Sequence, residues 1–250
     1  MDKGRRRLLS AASLTGLCMG TAMVVASPAQ SATSTVMAQW EMNEAAGSTI
    51  LVDSSGKGRH GTIGADVKLG AVDVAAFGHT FATHLPKDGY FPGHINRVAN
   101  HKSLNPDAGT YSVTIRYKTK YKFGNIMQKG QGTAVGGYWK VENPGGRPRC
   151  MFRGATGATR TAGADYPLSD NKWHTLTCVR TPDYVEMYVD GVRHSKLAGK
   201  TGTIANTAPL SIGGKTKCDG GVKVTCDYFV GSIDFVRIEK GFTKKPSGGI

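Results

Sequence analysis

The sequence is short of acid, and of glutamate above all. Only five of its 250 residues are Glu (Glu41, Glu44, Glu142, Glu186 and Glu239), and 18 Asp and Glu stand against 32 Lys and Arg. Paired carboxylates are the usual means of cleaving a glycosidic bond, held about 5 Å apart in retaining enzymes. Of the five, Glu142 and Glu186 are the pair that two strands could present on one face, and a lone pair at distant positions is weak evidence for catalysis. There is no glycine-rich phosphate-binding motif, no sustained 3.6-residue periodicity, no internal repeat and no close Cys-x-x-Cys pair. The cations are scattered rather than run together, which gives no support to a nucleic-acid partner. These absences exclude a helical fold and weigh against an enzyme.

What is present begins with an export signal. Met1-Asp2-Lys3-Gly4-Arg5-Arg6-Arg7 is a basic start, Leu8 to Ala26 an apolar and small-residue run, and Ser27-Pro28-Ala29 a small-residue end. Residues 1–29 are expected to be removed, with cleavage placed between Ala29 and Ala32. Ser10, Ser13, Thr15 and Gly16 dilute the run against a retained anchor, and no later segment is apolar enough to span a bilayer, so no stable membrane insertion is expected once the signal is gone. The mature chain keeps 28 basic and 17 acidic residues, a net charge of +11. That excess favours anionic partners. The expected location is secreted, extracellular.

The cysteines agree with export. Cys18 leaves with the signal, and Cys150, Cys178, Cys218 and Cys226 remain. An even count in an exported chain reads as disulfides. Three pairings are possible. Nearness in sequence favours Cys150–Cys178 and Cys218–Cys226, on or beside neighbouring strands, with chain-entropy contributions of about 3.6 and about 2.6 kcal/mol. A four-cysteine zinc site is the rival reading, and its spacing is wrong.

From residue 33 to 242 short β-like runs alternate with Gly, Pro, Asn and Asp punctuation. Tyr111, Val113, Ile115 and Tyr117 fall on one face of a strand, and Ser112, Thr114, Arg116 and Lys118 on the other. Val185, Met187 and Val189 alternate with Tyr184, Glu186 and Tyr188 and run into Asp190-Gly191, a hairpin turn. Further strands are expected at Val36–Met42, Gly137–Asn143, Arg149–Gly154, Trp173–Arg180, Ala208–Gly213 and Tyr228–Ile238. The fold class is all-β, a two-sheet antiparallel sandwich, with a flexible tail at 243–250.

Several segments together resemble one family. Trp40-Glu41-Met42-Asn43-Glu44 and Asp53-Ser54-Ser55-Gly56-Lys57-Gly58-Arg59-His60-Gly61 are similar to the opening of a laminin-G-like, concanavalin A-like jelly-roll domain. Trp173-His174, Tyr188-Val189-Asp190-Gly191 and Gly231-Ser232-Ile233-Asp234-Phe235-Val236-Arg237-Ile238 resemble its later strands, in order, and Cys226-Asp227-Tyr228-Phe229 resembles a variant of secreted bacterial members. The resemblance implies a carbohydrate- or protein-binding module, often with one calcium ion. Its calcium-site aspartates would be Asp53 and Asp234. Here Lys57 and Arg59 stand where many members carry Asn, which removes an oxygen ligand and adds repulsion. The alternative is that Asp53 is a turn residue bonding nearby amides and that Asp234 pairs with a cation. The family also houses glucanases and lyases, but neither the Glu-x-Asp-x-x-Glu strand nor the Gln-x-His with Tyr-Lys pattern occurs. His174 stands where the family commonly has His with no catalytic role.

If the strands share one sheet, period two turns Arg116, Tyr138, Lys140, Arg149, Arg153 and Tyr188 outward together. Aromatic rings stack on sugar faces and Arg forks grip carboxylates. The expectation is a non-catalytic module binding an extracellular glycan or cell-wall polymer, with an acidic one favoured. A polysaccharide-cleaving enzyme of the same fold and a protein-binding adhesive domain are the alternatives.

Overall fold

The computed structural model describes residues 34–73, 76–81, 92–217 and 227–241. The expected signal, the tail and the Cys218–Cys226 pair lie outside them. The described residues form sixteen strands: β1 (Thr35–Trp40), β2 (Ile50–Leu51), β3 (Gly61–Thr62), β4 (Lys68–Asp73), β5 (Ala76–Phe81), β6 (Asn96–Val98), β7 (Tyr111–Lys118), β8 (Asn125–Lys129), β9 (Tyr138–Glu142), β10 (Arg149–Arg153), β11 (Thr159–Gly163), β12 (Trp173–Arg180), β13 (Tyr184–Val189), β14 (Val192–Ala198), β15 (Leu210–Ile212) and β16 (Gly231–Lys240). Among the described residues there is no α-helix, only three short 3-10 turns.

Two antiparallel sheets result. The first has the order β14-β13-β12-β7-β16-β5-β4, with β1 also on β16. The second has the order β11-β10-β9-β8-β15-β6-β3-β2. Tyr111, Val113, Ile115 and Tyr117 are all buried in the core between them, as the alternation of β7 requires. From the facing sheet Phe152 pairs across strands with Trp139, and Tyr111 tilts against Trp139 with ring centroids 5.7 Å apart. Each such side chain contributes about 1.5–3 kcal/mol by leaving water.

Cys150 and Cys178 are bonded, their Cα atoms 5.7 Å apart. They are not on neighbouring strands. Cys150 lies in the second sheet and Cys178 in the first, both pointing into the core, so the bridge runs between sheets.

The six outward residues expected on one surface are divided by the same topology. Tyr138, Lys140, Arg149 and Arg153 lie on β9 and β10 of the second sheet, whereas Arg116 and Tyr188 lie on β7 and β13 of the first. Glu142 and Glu186 are parted in the same way, so they form no carboxylate pair. The premise of a shared sheet does not hold.

Candidate functional site

Four of the predicted residues do form a ledge on the outer face of the second sheet. Arg149 sits opposite Glu142, Met151 opposite Lys140 and Arg153 opposite Tyr138. Glu142 bridges Arg149 at 2.9 Å and also pairs with Lys140, which neutralises part of the ledge. The Tyr138 hydroxyl leans on the Met151 sulfur at 3.5 Å.

The other two are engaged on the opposite face. Arg116 pairs with Asp234 and lies 4.7 Å from the centroid of the Trp173 ring. Tyr188 is buried rather than outward in solvent. Its hydroxyl donates to Glu186 Oε2 at 2.9 Å, and burial with that carboxylate pushes the phenol up to about 12. Arg193 and Lys196 reach the same Glu186 carboxylate at 3.2 and 3.6 Å, so β14 side chains cover it. His174 is held between Asp170 and Asp190, at 3.1 and 2.8 Å.

The calcium expected between Asp53 and Asp234 does not fit this arrangement. Asp53 Oδ1 accepts the Gln39 and Ser55 amides at 2.9 and 3.0 Å, and Oδ2 the Arg59 amide at 2.7 Å. Burial pushes this carboxyl up, but those bonds outweigh it and hold it below the ordinary range. Asp234 is raised by burial, which the charge of Arg116 only partly offsets. Trp40 bridges Asp53 on one side and pairs with Val236 on the other, so strand β1 lies between the two aspartates. Both Asp53 oxygens are taken up by amides and Asp234 is paired with Arg116, so neither carboxylate is presented to an ion. Among the described residues no group of three or more His, Cys, Asp or Glu could hold a metal.

The same sheet carries a second feature that the sequence did not disclose. A cleft of about 690 Å3 is lined by Ile50, His60, Gly61, Thr62, Arg97, Ala99, Asn100, Thr207 and Pro209. Gln128 and Ser211 separate it from the ledge. Their register turns them outward, yet both are buried, Ser211 donating to the Gly214 carbonyl at 2.6 Å where the chain turns after β15. The cleft floor depends on glycine: a Cβ on Gly61 would stand 2.7 Å from the Arg97 carbonyl oxygen, so only glycine lets β3 lie against β6 here.

The cleft's polar groups are set by their neighbours. On β6, Asn96 and Val98 point inward and Arg97 outward, and Arg97 makes no ion pair with a described residue. His60 Nδ1 accepts the Asp53 amide at 3.1 Å, which leaves the proton on Nε2. Asn100 Oδ1 accepts from the Lys129 ammonium at 2.9 Å, leaving the Nδ2 hydrogens to donate elsewhere. Three N–H-donating side chains therefore border a cleft whose lining holds no carboxylate among the described residues. Such a wall suits a ligand rich in acceptor oxygens.

Two stacked antiparallel sheets of eight strands each define a β-sandwich of the jelly-roll class. The family model described as the concanavalin A-like lectin/glucanases superfamily matches residues 91–243, and the chain belongs to that family. No curated protein matches the sequence. Among solved structures, domain 4 of an extracellular arabinanase from Geobacillus stearothermophilus, in complex with arabinotriose, is similar with a TM-score of 0.60 and 15% identity, over 83% of this chain and 93% of that one. The binding domain of Paraclostridial mosquitocidal protein 1 gives 0.56 and 12%, over 83% and 47%. The botulinum neurotoxin serotype D ligand-binding domain in complex with N-acetylneuraminic acid gives 0.55 and 16%, over 86% and 48%. The chain spans about half the length of these toxin domains. At such identities the likeness is one of fold.

Proposed function

We propose that this protein is a secreted, non-catalytic carbohydrate-binding module whose ligand is an acidic extracellular glycan or cell-wall polymer. The observation that carries this reading is the cleft of Arg97 with His60 and Asn100, the last two fixed by hydrogen bonds, where N–H donors meet no carboxylate among the described residues. A uronate or other anionic sugar supplies the matching acceptors, and Arg can take its carboxylate through two parallel bonds. The ledge of Tyr138, Lys140, Arg149 and Arg153 on the same sheet would extend contact along a polymer. The arabinotriose- and N-acetylneuraminic acid-bound neighbours are consistent with a sugar ligand.

The test is calorimetric titration with uronic-acid oligosaccharides and neutral ones of equal length. Binding is expected to the acidic series, to weaken as salt rises, and to fall about tenfold or more in Arg97→Ala. Equal affinity for both series, or acidic binding indifferent to Arg97→Ala and His60→Ala, overturns it. Release of reducing ends from the same substrates would replace it with the enzyme reading.

A further inference from the structure

Beneath one wall of the cleft lies a cation of the protein's own. Lys129 ends β8 opposite Trp139, so its side chain points inward, and it is fully buried. Its ammonium donates to Asn100 Oδ1 at 2.9 Å, to the Asn206 carbonyl at 2.9 Å, to Asn206 Oδ1 at 3.1 Å and to the Ala208 carbonyl at 3.0 Å. Three hydrogens thus face four oxygens, every one of them neutral. No carboxylate among the described residues bonds to it. Asp107 acts on it only through space and is itself taken by Lys240 at 2.6 Å.

The oxygens come from segments far apart in the chain, and other bonds aim them. Asn206 Nδ2 donates to the Gly137 carbonyl at 2.8 Å, and Asn105 Nδ2 to the Asn206 carbonyl at 3.1 Å. A convergent set of amide and carbonyl oxygens with no anion among them is the arrangement by which proteins replace the hydration shell of a small cation. The holders are also the cleft's neighbours. Asn100 lines the cleft directly, and Asn206 and Ala208 flank the lining residues Thr207 and Pro209.

We infer that this oxygen cage is a cation site filled by the chain's own ammonium group, and that the tethered cation sets the cleft wall formed by Asn100 and residues 206–209. Lys129 is a positioning residue, which acts on any ligand through Asn100 and Thr207. The inference holds whether or not the cleft takes a glycan.

Lys129→Ala removes the stem and the ammonium together, and n-propylammonium restores the missing atoms as a free ion. Hydrogen exchange at Asn206 and Ala208 is expected to quicken about tenfold or more in the variant. It should return toward the wild-type rate with n-propylammonium chloride but not with choline chloride at equal ionic strength. Unchanged exchange in the variant, or equal recovery with choline, overturns the inference. Should Lys129→Ala fail to fold, Lys129→Met keeps the stem without the charge. Faster exchange at Asn206 and Ala208 in that variant supports the cage, and wild-type protection refutes it.

Discussion

Cys150 on β10 and Cys178 on β12 join the two sheets through the core, 28 residues apart in sequence. The bridge adds a covalent tie between layers that otherwise hold by core packing and by edge hydrogen bonds such as Gly163 to Ser195, at 2.8 Å between β11 and β14. The Cys150→Ala, Cys178→Ala double variant should lose about 2–5 kcal/mol, seen in calorimetry as a fall in Tm on the order of 10 °C. A Tm unchanged from the oxidised protein would show that noncovalent contacts fix the sheet spacing without the bridge.

Arg180 is a second buried cation with no carboxylate partner among the described residues. Its Nε donates to Thr201 Oγ1 at 3.0 Å, and its two terminal nitrogens to the Gly109 and Gly202 carbonyls. The fork pins the start of the long β14–β15 connection as Lys129 pins its end. Arg180→Met should cost about 2–4 kcal/mol in urea unfolding, because the buried Thr201 hydroxyl and two part-buried carbonyls lose their donor. Arg180→Lys should recover only part of this, since one ammonium cannot span the three positions.

Gly61→Ala should damage fold and cleft together. The added methyl meets the Arg97 carbonyl at 2.7 Å and Val98 Cγ2 at 3.0 Å, forcing β3 from β6 at a cost of about 1–3 kcal/mol. Urea midpoints should fall, and titration with acidic oligosaccharide should show weaker binding even where the variant is fully folded. Unaltered affinity in a folded Gly61→Ala would move the ligand away from this cleft.

Burial pushes the Lys129 ammonium down to about 8, against about 10.4 for an unfolded lysine. Between those values the native state sheds a proton that the unfolded chain keeps, so stability contributed by this group rises with pH across the window. The difference in unfolding free energy between wild type and Lys129→Met is therefore expected to grow from pH 8 to pH 10 and to stay flat from pH 6 to pH 7.5. Denaturant titrations of both proteins across that range check the sign.

How much the sequence disclosed depended on how long each alternation ran. Strand β7 occupies 111–118, where eight residues in period two leave one register only, and β12 covers the expected Trp173–Arg180. The ledge was half legible: faces follow from alternation within β9 and β10, but sheet membership does not, and it parted Arg116 and Tyr188 from the rest. The cleft was not legible. Its strands β2, β3 and β6 are two or three residues long, and His60, Arg97, Asn100 and Thr207 meet only through pairings distant in sequence. Strand β8 hid for a related reason: Asn125, Gln128 and Lys129 are polar yet buried, so hydrophobic period breaks where the cage needs a charge.

The bond through the core also makes the stretch from β10 to β12 a closed ring of chain. Lys172 is exposed within that ring. A protease cutting once after it would separate the polypeptide into two pieces that remain one molecule, migrating together on a gel until a reductant is added.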